Sequence, residues 1–292
     1  MSKDPRSRAI CILGMHRSGT SLCSRMINVL GAYLGEEEDL LGAGQDNPDG
    51  FWENTHILDI HERLLRWFDR FWHDTRPLPD GWWTEPGIAR FRREIEDLVR
   101  KYVSEAALWA WKDPRTGILL PLWQAVLKDF GIPVGYVICV RNPIDVALSL
   151  ERIHKFSLAK STCLWQLYNL SALHWTSGRP RMVISYDQLL EDHETYLPDI
   201  IDQLRSRLAW PGKNDAGALA PVVKPGLRHN VHDKGDVFRN KDIPDPVKQL
   251  YSLLLRAGRD QNLASAQGFC RIIERLYADY CQYSSMFAPV SN

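Results

Sequence analysis

One stretch near the start constrains this chain more than any other. The apolar run Arg8-Ala9-Ile10-Cys11-Ile12-Leu13 leads into Gly14-Met15-His16-Arg17-Ser18-Gly19-Thr20-Ser21. The run predicts a buried strand, and Ser18 to Ser21 predict the turn into a following helix. Two glycines with four residues between them let the backbone fold closely around an anion, so that successive N–H groups converge on it. The helix N-terminus adds roughly half a positive charge at the same point. The loop therefore predicts a phosphate cradle. It departs from the triphosphate-binding pattern, which puts lysine directly after the second glycine: Thr20 stands there, and the nearest cation is Arg17, inside the loop.

The rest of the chain alternates in kind. A helix is expected from Ser21 to Leu30, closed by Gly31, and a long acidic loop from Glu36 to Gly50. Asn54 is a predicted N-cap for a helix with Ile57, Ile60, Leu64, Trp67 and Phe68 on one face. After a break rich in proline around Trp82-Trp83 comes a helix through Phe91, Ile95, Leu98, Val99 and Tyr102. Short apolar strands follow at Leu108–Trp111, Val134–Val140 and Met182–Ser185, with helices at about 119–130, from Pro143, and at 158–175. Strands of this kind between helices predict an α/β fold, a parallel sheet covered by helices on both faces. Ligands of such sheets bind beyond the carboxyl ends of the strands, and the Gly14 loop, Lys112, Arg141 and Tyr186 all fall there. One domain over 1–292 is expected, with its core at about 8–206 and an irregular segment and helices over 207–292. Asp245-Pro246 should cap one of those helices.

Charge narrows the partners. Lys+Arg and Asp+Glu are both 36, and the pI is about 7.1, which argues against nucleic acid or an anionic membrane as main partner. The six scattered cysteines suggest buried free thiols. With no apolar leader and no run near the ~20 residues of a membrane span, a cytoplasmic protein is expected.

Magnesium-dependent phosphoryl transfer wants an aspartate at a neighbouring strand end to hold the metal. The strand Val134–Val140 ends instead in Arg141, whose planar fork suits direct, metal-free binding of phosphate. At this point the residues resemble the sulfotransferases that use 3′-phosphoadenosine 5′-phosphosulfate (PAPS). The Gly14–Ser21 loop resembles their 5′-phosphosulfate loop, with Arg17 where cytosolic members carry lysine and tyrosylprotein members carry arginine. Arg141-Asn142-Pro143, Asp145-Val146 and Ser149 are similar to their 3′-phosphate motif, and Ile184–Leu190 to the segment whose tyrosine, here Tyr186, contacts adenine. Lys112-Asp113-Pro114 resembles a motif whose lysine contacts the transferring sulfate. The resemblance covers about 9–190 and implies a P-loop-like fold with helical additions and a PAPS site. That site would be built from Gly14, His16, Arg17, Ser18, Gly19, Thr20, Ser21, Arg141, Ser149 and Tyr186, without a metal. The Arg-Lys-Gly signature of cytosolic members is missing, and Pro225-Gly226-Leu227-Arg228-His229, with Arg228 as the phosphate ligand, is the candidate replacement.

Sulfuryl transfer needs a base for the acceptor hydroxyl and donors for the sulfonyl oxygens and leaving phosphate. Arg17, Lys112 and the loop N–H groups are candidates for the donors. Glu53 is the candidate base, beside Phe51 and Trp52, where desolvation would raise its proton affinity; otherwise it is a first-turn glutamate facing the helix dipole. His56 and Glu37 are the alternatives. Arg115 either binds substrate or neutralises Asp113. His16 is expected to orient the loop backbone, and Trp52, Trp82 and Trp83 are candidates for an acceptor wall. The acceptor expected is a hydroxyl of a glycan or glycoconjugate, with a protein tyrosine as the variant. A small-molecule kinase and a nucleotide-binding module without catalysis are the competing functions.

Overall fold

The computed structural model describes residues 7–44, 47–213, 215–224 and 231–284. Four strands, β1 (Arg8–Leu13), β2 (Leu108–Lys112), β3 (Val134–Val140) and β4 (Arg181–Ser185), pair in parallel in the order β2-β1-β3-β4. Ile12 lies opposite both Lys112 and Val137, so the three strand ends open on one edge. β1 is central, and the glycine loop leaves its carboxyl end for α1 (Thr20–Val29). This is the P-loop-like α/β arrangement expected.

The strands are apolar on both faces because both faces are covered. Ala9, Cys11 and Leu13 point into one core with Tyr136, Ile138 and Val140. That core is filled by α2 (Thr55–Trp67), α3 (Ala89–Glu105), α4 (Thr116–Phe130), α5 (Pro143–His154) and α6 (Leu158–Trp175). Ile10 and Ile12 point the other way, onto Cys23 and Met26 of α1 and onto Ile200 and Leu204 of α8 (His193–Leu208), which follows the short α7 (Tyr186–Glu191). α9 (Lys234–Arg239) precedes α10 (Asp245–Arg259) and α11 (Gln267–Ser284). Leu250, Leu254, Phe269 and Ile273 of the last two join the first core.

Local chemistry sets the helix ends. The Asn54 side chain accepts from His56 N at 3.0 Å and Ile57 N at 3.3 Å, and Asn142 accepts from Ile144 N at 2.9 Å with Pro143 behind it. The Asp245-Pro246 pair differs from expectation: Pro244 is the N-cap, and Asp245 and Pro246 form the first turn without a side-chain cap. One edge of the sheet is lined by aromatic rings. Tyr102, Trp109, Trp111 and Trp123 stack in sequence with centroids 5.0, 5.3 and 4.7 Å apart, which brings the Trp123 indole beneath the end of β2. Among the described residues no helix is long and apolar enough to cross a membrane.

Candidate functional site

The loop glycines are required by what lies against them. A Cβ on Gly14 would sit 2.6 Å from the Cys139 carbonyl oxygen of β3. On Gly19, which has φ 86°, it would sit 2.2 Å from the Tyr186 ring. Within the loop, Ser18 N donates to Met15 O at 3.1 Å. Among the described residues the Ser18 hydroxyl is buried with no hydrogen-bond partner. The Ser21 hydroxyl is otherwise engaged, donating to Phe51 O at 3.1 Å and accepting from Asn47 at 3.2 Å. It thereby ties the acidic loop to the cradle.

Four of the predicted residues meet here. Arg17 takes a left-handed φ of 69° and its Nε donates to Ser149 Oγ at 2.9 Å. Arg141 donates to the Arg17 carbonyl at 3.1 Å, and its guanidinium lies 4.8 Å from the centre of the Tyr186 ring. Asp145 and Asp187 are fasteners. Asp187 accepts from Asn142 N at 2.9 Å, and Asp145 meets His232 Nδ1 at 2.7 Å, which pins the chain after the irregular segment. Arg228 lies outside the described residues.

Arg17, Gly19, Thr20, Arg141, Ser149 and Tyr186 border a cavity of about 170 Å³ that runs to Lys112 and Glu53, whereas Gly14 and Ser18 do not line it. The sequence reading missed Arg25, Arg152 and Lys224 on its wall. Arg25 and Lys224 converge on Asp49, at 3.6 and 2.7 Å. Helical spacing was the available signal for two of them, since Arg152 is one turn past Ser149 and Arg25 one turn past Ser21.

At the other end the structure adds to the expected environment. The sequence suggested a carboxylate desolvated beside aromatic neighbours; Glu53 is buried, and it is also in an ion pair. Lys112 Nζ donates to its Oε1 at 2.7 Å, and Arg115 lies 4.0 Å from its Oε2. Lys112, Glu53, Asp113 and Arg115 are all buried, two cations against two anions, so removing one member leaves an uncompensated charge. Arg115 is resolved in favour of Asp113, which it contacts at 3.0 Å. Burial alone would raise the Asp113 carboxyl, but Arg115 and the His61 hydrogen bond override it and hold it far below the usual carboxylate range.

Other candidates are placed elsewhere. His56 is exposed and pairs with Asp39 at 3.0 Å, and Glu37 sits in an exposed turn; neither borders the cavity. Trp52 does border it, whereas Trp82 and Trp83 line a separate small cleft with Trp175 and Tyr277. His16 borders the cavity, and its ring packs on Trp72 at 4.4 Å and on Tyr168 at 5.7 Å. Burial, reinforced by Arg115, lowers its pKa well below the ordinary value and keeps the ring neutral.

No family model and no curated protein matches the chain. Solved structures similar to it include two sulfotransferase domains. The sulfotransferase domain from the Synechococcus PCC 7002 olefin synthase is 18% identical with a TM-score of 0.45, over 99% of both chains. The sulfotransferase domain from the curacin biosynthetic pathway is 16% identical with a TM-score of 0.40, over 86% of this chain and 96% of that one. Neither likeness is strong enough to carry a residue's role across, so the chemistry has to be built from this chain's own side chains.

Proposed function

We propose that this protein is a PAPS-dependent sulfotransferase that moves a sulfuryl group to a hydroxyl, of a glycan or glycoconjugate, with no metal in the step. The observation that carries the reading is a single cavity with two different ends. At one end Arg17, Arg141 and Ser149 close over a glycine loop; at the other a buried carboxylate is paired with a lysine. The first end suits a nucleotide carrying two separate phosphoryl positions, with Arg141 and Ser149 for one and the loop N–H groups, Ser18 and Arg17 for the other. Tyr186, lying on Gly19, offers a flat face for a base. Asp113, at the neighbouring strand end, is already held by Arg115 and His61, so the cation for a bound phosphate comes from arginine.

In this reading Glu53 accepts the acceptor's hydroxyl proton as the new O–S bond forms. The bond between sulfur and the bridging phosphate oxygen breaks, and that oxygen keeps the electron pair. Lys112 turns from Glu53 to the sulfonyl oxygens, while Arg17 and the loop N–H groups take up the charge left on phosphate. Phe51 and Trp52, on the wall next to Glu53, are the flat apolar faces that would receive a sugar ring. Calorimetry with 3′,5′-adenosine diphosphate against ATP, each with and without magnesium, tests the donor. Magnesium-independent preference for the bisphosphate is expected, and preference for Mg-ATP would instead favour a kinase. A screen of hydroxyl acceptors with sulfur-labelled PAPS then tests the transfer and its acceptor class.

A further inference from the structure

Two cations flank Glu53 and are held in opposite ways. Lys112 borders the cavity, and among the described residues the one hydrogen bond of its side chain is to Glu53 Oε1, at 2.7 Å. Arg115 lies behind the cavity wall and is clamped. Its backbone N–H and its NH1 both donate to Asp113 Oδ1, at 2.9 and 3.0 Å, and its NH2 donates to Glu62 at 3.1 Å. Asp113 is fixed in turn. Its Oδ2 lies 3.0 Å from His61 Nδ1, and the Trp123 indole donates to His61 Nε2 at 2.8 Å. An indole nitrogen only donates, so His61 carries its proton on Nδ1 and gives that hydrogen bond to Asp113. His61, Asp113 and Trp123 are fully buried, which leaves the clamp no alternative rotamers.

At 4.0 Å, Arg115 NH1 is near enough to Glu53 Oε2 to attract it and too far to hydrogen-bond it. A Lys112 ammonium drawn to a sulfonyl oxygen shares its single charge and leaves Glu53 less well neutralised. A buried carboxylate that lost its only cation would be strongly disfavoured. We infer that Arg115, clamped by Asp113, His61 and Trp123, is a positioning residue that retains Glu53 through Oε2 when Lys112 leaves, so that Oε1 is the atom left to take the proton. The inference rests on the sulfuryl-transfer reading, with Glu53 as the base.

A crystal structure of Lys112→Met, without ligand, tests it directly, because that substitution reproduces the departure of the ammonium. Glu53 should settle on Arg115, its Oε2 closing from 4.0 Å to about 3 Å of NH1, with the Asp113 contacts intact. A Glu53 side chain turned into the cavity, or an Arg115 that leaves Asp113, would overturn the inference. Turnover supplies the second arm. Arg115→Lys keeps the charge without the fork and should lower kcat about tenfold, and Arg115→Met about a hundredfold, with the donor KM unchanged within about twofold in both. Equal kcat in all three proteins, or a donor KM that rises as kcat falls, would count against it. If Arg115→Met does not fold, the lysine variant and the Lys112→Met structure decide. If the wild type transfers sulfate to no acceptor, the transfer reading fails by itself, and the Lys112→Met structure still decides whether Arg115 holds Glu53.

Discussion

The two ends of the cavity hold different kinds of contact. At the glycine loop Arg17 reaches Ser149, Arg141 reaches the Arg17 carbonyl and Tyr186, and Arg25 and Lys224 meet the partly exposed Asp49. At the β2 end the cations are matched one for one with buried carboxylates, Lys112 with Glu53 and Arg115 with Asp113. An anion can displace a hydroxyl or carbonyl from arginine at small cost. Separating a buried ion pair costs more, about 3–5 kcal/mol when one partner is lost outright. The buried pairs at the β2 end are therefore costly to break.

The comparison can be broken from either side. The largest effect is expected from Glu53→Gln, which keeps the shape of the side chain and removes its capacity as a base. Turnover should fall by about a thousandfold while affinity for 3′,5′-adenosine diphosphate, measured by calorimetry, stays within about twofold. Arg141→Ala should do the reverse, weakening the bisphosphate about ten- to a hundredfold, the worth of a charge-assisted hydrogen bond. Adenosine 5′-monophosphate should be affected much less, and equal losses for both nucleotides would place Arg141 away from the second phosphate.

Stability should separate the ends as well. Asp113→Asn strands the Arg115 charge in a buried site and should cost about 3 kcal/mol in denaturant unfolding at pH 7. The Asp113 carboxyl is held low in the folded state, so its contribution is complete above the unfolded value of about 3.9 and fades as pH falls below it. The deficit of the variant should therefore shrink in acid. His16 has the opposite chemistry and the same sign. Its folded value is depressed by burial, so the unfolded chain binds the proton first, and stability should decline as pH drops below about 6.5. His16→Phe should flatten that part of the profile, and an unchanged slope would show that another group supplies it. The smallest effect is expected at Trp83, which lines the separate cleft. Trp83→Ala should leave the acceptor KM within about twofold, while Trp52→Ala raises it.

What could be seen in advance follows a physical division. β1, the loop, the capping residue Asn54 and the helix opened by Pro143 were legible because each depends on residues within a few positions of itself. The places of Arg141 and Tyr186 were legible for a related reason: a parallel sheet puts every strand end on one edge, whereas Ser149, inside α5, came only from the family resemblance. Trp82 and Trp83 show the limit. Flat rings suit a sugar and suit a core equally, and only the packing around Trp175 and Tyr277 assigned them to a second cleft.

By itself the sequence determined the class of the sheet, the glycine cradle at its centre and the arginine that stands where a metal-binding carboxylate would. Periodicity, glycine spacing and strand ends are carried by short windows of chain. The tertiary structure alone decided how charges pair. Lys112 met Glu53 across 59 residues and Asp113 met His61 across 52. With 36 basic and 36 acidic side chains, sequence offers many partners for each. The path of residues 47–54 and the stacking that carries Trp123 beneath β2 selected one, because buried charges persist only where a fixed opposite charge already waits.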